Sequence, residues 1–225
     1  MRFYIFLIPL IAFSCTNKDA SVELPKKPII TFVSFEYVED NEIQLRFKYQ
    51  DGDANLGFEN NNSFVDPWVY PKDEHDQFIL IGSSDTLPEY NCYDWKIGAD
   101  IEDQEGFDIY GLSPDDTVLS EPNPHFYNFH IEFYRIQNNV EIPIDFTSAC
   151  YPGYDARLYD FNEKSKTENF EYFPNDKYSG EVLCKFPGGG WSIIADGKPI
   201  KAYFSVFDND FYKSNIEQTT NLLIE

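Results

Sequence analysis

The sequence predicts an all-β protein, an antiparallel β-sandwich with long loop insertions. Three observations lead to this prediction: several segments alternate apolar and polar residues with a period of two, turn residues separate these segments, and helical periodicity is nearly absent. Aromatic residues make up 18% of the 225 residues, and strands favour Phe and Tyr. A single sandwich commonly reaches about 200 residues, so one domain is expected.

Six segments carry the strand pattern, at 29–38, 42–49, 126–136, 181–186, 200–207 and 221–225. The second of them reads EIQLRFKY, in which every other residue is apolar, as in a strand buried on one face. Asn138-Asn139 and Asp196-Gly197 stand between strand-like segments, where hairpin turns are expected. Gly188-Gly189-Gly190-Trp191 is interpreted as a hairpin loop, because no helical pattern follows it.

Two polar stretches, at about 58–121 and 155–180, fit the strand pattern poorly and are predicted as insertions in a single domain over 29–225. The first holds a brief strand candidate at 79–82. Long loops inside a compact domain are usually functional or partly mobile, so we expect binding residues there.

The first fifteen residues, MRFYIFLIPLIAFSC, have the order of a signal peptide: a basic residue, a short apolar run, then a small residue before Cys15. This resembles a bacterial lipobox, with Ala12 where Leu is usual. The resemblance implies a leader at 1–14, lipidation of Cys15 and a polar tether at 15–28. We therefore expect export and a lipid anchor in the cell envelope, in the outer membrane. An ordinary secretory leader and an uncleaved anchor helix are the alternatives.

The charge excludes one class of partner. The chain has 39 acidic and 17 basic residues, a formal net charge of −22, which repels phosphate backbones, so no nucleic acid is expected. The sequence contains no G-x-S-x-G elbow, P-loop or dinucleotide fingerprint, so no enzyme is predicted. An exported hydrolase stays open as an alternative, because paired carboxylates are abundant in such a chain.

Three segments together resemble one family. They are FKYQDGDANLG at 47–57, NPHFYNFHIEFY at 123–134 and FSVFDNDFYKSN at 204–215. The ordered set resembles uncharacterised Bacteroidota-type lipoproteins with an immunoglobulin-like β-sandwich and a DGDGDLG-type loop. Ala54 replaces a Gly of that loop, and Asn209 replaces an Arg of the final turn. The resemblance implies an immunoglobulin-like fold and an envelope location, and no specific chemistry.

The first of these loops carries a candidate calcium site. Asp51, Asp53 and Asn55 present oxygen atoms at alternating positions, and Ca²⁺ takes six to eight oxygen ligands. We expect Asp208 or Asp210 to complete the set. Leu56 stands where an EF-hand loop requires Gly, so this is not an EF-hand. The alternative is a solvated turn without a metal, and no other cofactor is expected.

Aromatic rings and cysteines complete the candidates. Trp68, Trp95 and Trp191 lie in predicted loops or at strand ends, where a ring could contact a glycan or an envelope protein; packing inside the fold is the alternative. An exported chain can form one disulfide among Cys92, Cys150 and Cys184, with all three pairings open.

The predicted function is a lipid-anchored, non-catalytic binding or structural module, with a surface glycan-binding lipoprotein as the first alternative.

Overall fold

A computed structural model describes residues 24–38, 41–58, 67–98, 101, 112–113, 115–146, 153–159, 169–188 and 190–224. The predicted leader, the lipidation site Cys15, most of the tether and Cys150 lie outside these residues. Among the described residues, no helix is both long enough and apolar enough to cross a membrane.

Twelve strands and one short helix lie wholly within the described residues. The strands are β1 (Ile29–Val38), β2 (Glu42–Gln50), β3 (Trp68–Val69), β4 (Trp95–Ile97), β5 (Thr117–Leu119), β6 (Glu121–Pro122), β7 (Phe129–Gln137), β8 (Val140–Pro143), β9 (Phe170–Asp176), β10 (Ser179–Phe186), β11 (Ile200–Val206) and β12 (Glu217–Gln218). The helix, α1, spans Trp191–Ala195.

Two four-stranded sheets make up the body of the fold. The first has the strand order β1-β2-β10-β9 and the second has the order β12-β11-β7-β8. Every pairing within them is antiparallel. The prediction of an all-β, antiparallel protein is therefore confirmed.

The two sheets share one aromatic core. The alternation predicted for β2 is present, since Ile43, Leu45 and Phe47 are completely buried. Phe47 of the first sheet stacks on Phe129 of the second, with ring centroids 6.0 Å apart, and contacts Phe204 at 5.4 Å. Full burial of such a side chain contributes about 1.5–3 kcal/mol. The apolar faces of the two sheets therefore pack against each other in a sandwich-like arrangement.

The segment between β2 and β7 forms two small ladders, β3 with β6 and β4 with β5. The strand candidate at 79–82 appears only as an isolated bridge between Leu80 and Val118. Ile101 and Val118 are buried in a small cluster separate from the main core. The described part of this segment adds no strand to either four-stranded sheet.

The predicted second insertion at 155–180 needs a correction, because it contains β9 and the start of β10. The strand β9 reads FEYFPND and is an edge strand of the first sheet. Pro174 lacks an N–H and is tolerated at an edge, where one side of the backbone is unpaired. The proline and the polar end interrupt the alternation of apolar and polar residues, so the sequence pattern does not predict this strand.

Two turn predictions also differ from the structure. A short helix, α1, follows Gly190, where a hairpin loop was expected; five residues are too few to show helical periodicity. Asp196-Gly197 therefore connects α1 to β11 and does not join two strands. The Asn138-Asn139 prediction is confirmed: both residues have positive φ, 53° and 61°, in the turn between β7 and β8. The last strand is β12, and the region 221–225 contributes an isolated bridge at Leu222.

Candidate metal centre

Two loops meet at one end of the paired sheets. Asp51 directly follows β2 of the first sheet, and Asp208 comes two residues after β11 of the second. A backbone bridge joins Leu56 to Asp208, and the Asn209 N–H donates to the Asn55 carbonyl at 3.2 Å. These contacts bring together carboxylates that are far apart in the chain.

The Asp51 side chain is buried with one satisfied and one unsatisfied oxygen. Only 1% of the residue is exposed. Its Oδ2 accepts hydrogen bonds from the backbone N–H groups of Asn55 and Leu56, both at 2.8 Å. Its Oδ1 is buried without a hydrogen-bond partner. The loop therefore wraps around one side of the carboxylate and leaves the other side available to a ligand.

Asp208 has the same arrangement on the opposite loop. The residue is completely buried, and its Oδ1 accepts the backbone N–H of Tyr212 at 2.8 Å. Its Oδ2 is buried without a hydrogen-bond partner. A buried carboxylate oxygen without a donor is costly, and such atoms are rare in folded proteins.

These two carboxylates converge with that of Asp53. Each of the three residues offers one oxygen, and these oxygens all lie within 4.8 Å of one another. In the same loop, the Asn55 Oδ1 is buried without a partner, while its Nδ2 donates to Asp210 at 3.1 Å. Of the five predicted ligands, the structure thus joins three carboxylates, keeps Asn55 in the same loop, and holds Asp210 through Asn55.

The electrostatics of this cluster disfavour three free carboxylates. Burial raises the pKa of Asp51 to about 6, and the proximity of the Asp53 carboxylate acts in the same direction. The backbone N–H groups that bind Asp51 oppose this rise. Burial raises the pKa of Asp208 as well. Without a cation, repulsion and desolvation both act against the ionised cluster.

The ligand set has the chemistry of a hard cation. The converging atoms are carboxylate oxygens with one amide oxygen nearby, which suits Ca²⁺, whereas structural zinc sites use nitrogen and sulfur ligands. A solvated turn, the alternative reading, accounts for the hydrogen bonds to Asp51 Oδ2. It does not account for two buried oxygens, one on Asp51 and one on Asp208, that have no donor.

Local backbone geometry shapes the loop at 51–57. Ala54 has a φ of 61°, in the left-handed region that favours Gly, and it stands where the resembled loop has Gly. Gly57 has a φ of 97°. These two left-handed residues curl the loop so that the N–H groups of Asn55 and Leu56 turn inward onto Asp51.

The same loop contacts the residues that precede β1, which the sequence pattern predicts as the end of a tether. The Gly52 N–H donates to the Pro25 carbonyl at 3.0 Å, and the Asp51 N–H donates to the Tyr178 carbonyl at 2.8 Å. A Cβ on Gly52 would collide with the carbonyl oxygens of Leu24 and Pro25. The loop is thus packed against the chain that enters β1 and against the hairpin between β9 and β10.

The tryptophans predicted as ligand contacts lie elsewhere. Trp95 and Trp191 are 2% and 1% exposed, which contradicts the expectation that they contact a ligand. Trp191 packs against Phe133 and donates its Nε1–H to the Phe186 carbonyl at 3.0 Å. Trp68 is half-buried with the Lys96 ammonium 3.8 Å from its ring centroid. The sequence does not predict that these rings are buried, because a position in a predicted loop does not determine how exposed a side chain is.

Two cysteines differ in state. Cys92 is disulfide-bonded, with its partner outside the described residues. Cys184 is a free thiol that is completely buried in the main core, and burial raises its pKa well above the ordinary value. Among the three predicted candidates, Cys184 therefore acts as a small apolar side chain.

Sequence reasoning missed a groove on the outer face of the second sheet. It has a volume of about 330 Å³, and its lining includes Tyr134, Tyr203, Glu132 and Glu141. The Tyr134 and Tyr203 hydroxyls donate to these carboxylates at 2.7 and 2.8 Å. Hydrogen bonds from Lys201 and Tyr203 hold the pKa of Glu141 below its usual value. The pairing across neighbouring strands that creates this network is not visible in one sequence.

Sequence reasoning also missed two exposed rings beside the cluster. Phe211 and Tyr212 are 49% and 50% exposed and follow Asp208 in a tight turn. The Phe211 ring contacts the ring of His125, with centroids 4.4 Å apart. The sequence signal that could have indicated them is DNDFYK at 208–213, in which two aromatic residues stand among polar ones.

Comparison with known proteins adds no family. No protein-family model matches the chain, and searches of curated proteins and of solved structures found no significant match.

Proposed function

We propose that this chain is a lipid-anchored, non-catalytic module of the cell envelope that binds Ca²⁺ where its two sheets meet. One observation carries the proposal: Asp51 and Asp208 are buried, each has a carboxylate oxygen without a donor, and each places one carboxylate oxygen within 4.8 Å of an oxygen of Asp53. A divalent cation would satisfy these atoms and neutralise the repulsion among them.

The position of the centre suggests what the cation does. Asp51 belongs to the end of the first sheet and Asp208 to the end of the second. If the Asn55 amide joins the three carboxylates, they would provide four oxygens, and about two to four positions would remain for water or another ligand. A bound Ca²⁺ would join the two loops and stabilise this end of the fold.

The finer fold and the location are part of the same proposal. The two sheets, in the orders β1-β2-β10-β9 and β12-β11-β7-β8, correspond to the A-B-E-D and G-F-C arrangement of an immunoglobulin-like sandwich, with an added strand beside C. The lipobox-like leader ending at Cys15 and the family resemblance support an envelope location. The anchor would make the membrane the first partner of the protein.

The described side chains favour binding over catalysis. A general acid needs a carboxylate of raised pKa that a substrate can reach. The pKa of Asp51 is raised, but the residue is only 1% exposed. In the groove, the pKa of Glu141 moves in the opposite direction, because Lys201 and Tyr203 stabilise its charged form.

Calcium titration tests the metal centre. The mature protein is stripped with EDTA, dialysed and titrated with Ca²⁺ by calorimetry, with a thermal melt at each end point. We expect one Ca²⁺ per chain and a higher melting temperature when it is bound, because only the folded state has the site. Loss of both effects in Asp208→Asn, and their retention in Asp85→Asn, would assign the ion to this centre. No binding and no thermal shift would refute the proposed site.

The anchor has its own test. The intact mass of protein extracted from membranes should exceed that of the polypeptide beginning at Cys15 by the mass of the acyl groups. Cys15→Ser should abolish the added mass and release the protein from the membrane. A mature mass without acyl groups would refute the lipid anchor and leave the calcium proposal standing.

A further inference from the structure

We propose that the Ca²⁺-loaded centre is the binding site for a neutral sugar, whose adjacent hydroxyl groups complete the coordination of the cation and whose C–H face packs on Phe211 and Tyr212. This inference rests on the proposed function, since it requires the cation, and it gives the binding module a ligand class.

Phe211 and Tyr212 are hydrogen-bonded through their backbones to Asp208, one of the proposed calcium ligands. The Tyr212 N–H donates to Asp208 Oδ1 at 2.8 Å, and the Phe211 N–H donates to the Asp208 carbonyl at 3.1 Å. The Asp208 N–H in turn donates to the Tyr212 carbonyl at 3.3 Å. This closed turn holds the backbone of Phe211 and Tyr212 against Asp208, which contributes one carboxylate oxygen to the cluster.

Both rings are exposed to solvent. Phe211 has a φ of 62°, a left-handed conformation that L-residues rarely adopt. The ring is nonetheless 49% exposed, and its contact with the exposed residue His125 is an edge contact. About half of the Phe211 surface is therefore accessible to a ligand.

The cluster is buried on one side and open on the other. Asp51 and Asp208 are at most 1% exposed, whereas Asp53 and Asp210 are exposed. The remaining two to four or so coordination positions would then face solvent, where water or two adjacent hydroxyls can fill them. An aromatic ring beside such hydroxyls offers the flat apolar surface that the C–H face of a sugar needs.

The charge of the surroundings selects a neutral ligand. The chain carries a formal net charge of −22, and a single Ca²⁺ leaves the protein strongly acidic. Phosphate, sulfate and acidic sugars would be repelled on approach. Uncharged hydroxyl groups replace water on the cation without this penalty.

The test uses the calcium-loaded mature protein on an array of neutral oligosaccharides, followed by titration with methyl α-mannopyranoside and methyl α-fucopyranoside. We expect binding in Ca²⁺ that EDTA abolishes. Phe211→Ala should weaken the affinity for the sugar about tenfold and leave the affinity for Ca²⁺ unchanged. Tyr90→Ala is the matched control, because Tyr90 is 59% exposed in a different part of the fold.

The outcomes separate this inference from the proposed function. If the protein binds no Ca²⁺, both fail. If it binds Ca²⁺ but no glycan on the array and neither monosaccharide, the sugar site is refuted and the structural calcium site stands. Sugar binding that persists in EDTA, or that Phe211→Ala and Tyr90→Ala reduce equally, also overturns the inference.

Discussion

Replacing Asp208 by Asn should change the stability of the protein in opposite directions with and without calcium. Carboxylate oxygens within 4.8 Å of one another repel by about 3 kcal/mol at an effective dielectric constant of about 20. Asn retains an oxygen that can accept the Tyr212 N–H and removes the charge. Allowing for screening by solvent, we expect Asp208→Asn to raise the free energy of unfolding in EDTA by about 1–2 kcal/mol.

In calcium the order reverses. At a Ca²⁺ concentration a hundred times the dissociation constant, binding stabilises the wild type by about 2.7 kcal/mol. The variant should lose most of this gain and fall below the wild type. For a chain of this size, each kcal/mol shifts the melting temperature by about 2–4 °C, so both differences are measurable by calorimetry.

The control for this experiment is Asp85→Asn, which makes the same charge change at an exposed aspartate outside the cluster. It should leave the melting temperature nearly unchanged in both buffers. If Asp208→Asn lowers the melting temperature equally in EDTA and in Ca²⁺, Asp208 stabilises the turn by itself. The reasoning that three carboxylates converge on a cation would then be wrong.

Three further predictions concern pH, packing and the cysteines. Because burial raises the pKa of Asp51 from 3.8 to about 6, the folded apo protein holds a proton between these two pH values that the unfolded chain has lost. Its free energy of unfolding in EDTA, relative to Asp51→Asn, should therefore fall by about 1–2 kcal/mol as pH rises from about 4 to about 6, while Ca²⁺ affinity rises. Gly52→Ala should cost about 1–3 kcal/mol in urea unfolding, because its Cβ meets two tether carbonyl oxygens. Non-reducing peptide mapping should find Cys184 unlinked and, given a lipidated Cys15, Cys92 joined to Cys150.

Each of these predictions has a result that contradicts it. Parallel pH profiles for the wild type and Asp51→Asn would show that Asp51 does not retain its proton. The control for Gly52→Ala is Gly190→Ala, where a Cβ has only an ordinary contact of 3.7 Å with Ile194; equal losses would exclude a collision at the tether. A crosslinked peptide that contains Cys184 would contradict the buried free thiol.

The sequence predicts a strand best where one face of the strand is buried and the other is exposed to solvent. The strand β2 shows this, since its apolar residues alternate with polar ones and its buried side chains follow the same alternation. The strand β9 is an edge strand with Pro174 and a polar end, so its pairing depends on the neighbouring β10. The helix α1 is shorter than two turns, too short for its period to appear.

The candidate site also has a part that the sequence predicts and a part that depends on the fold. The Asp51-to-Asn55 spacing is local, and the sequence alone predicts it as an oxygen-rich loop. The choice between Asp208 and Asp210 depends on long-range pairing of Leu56 with Asp208, and on a left-handed Phe211 that no residue preference would suggest. The exposure of the tryptophans depends on packing, so their loop positions misled the prediction.

The exposed acidic residues and the buried carboxylates of the candidate metal centre differ in their contact with water. An exterior with many exposed carboxylates attracts cations over long range and needs no partner for each acid, because water solvates them. Asp51 and Asp208 are different, since they are removed from water at the ends of two opposing sheets that already share the Phe47, Phe129 and Phe204 core. A cation bound between the two loops would meet carboxylates that the fold has already brought together, and its binding would stabilise this end of the fold.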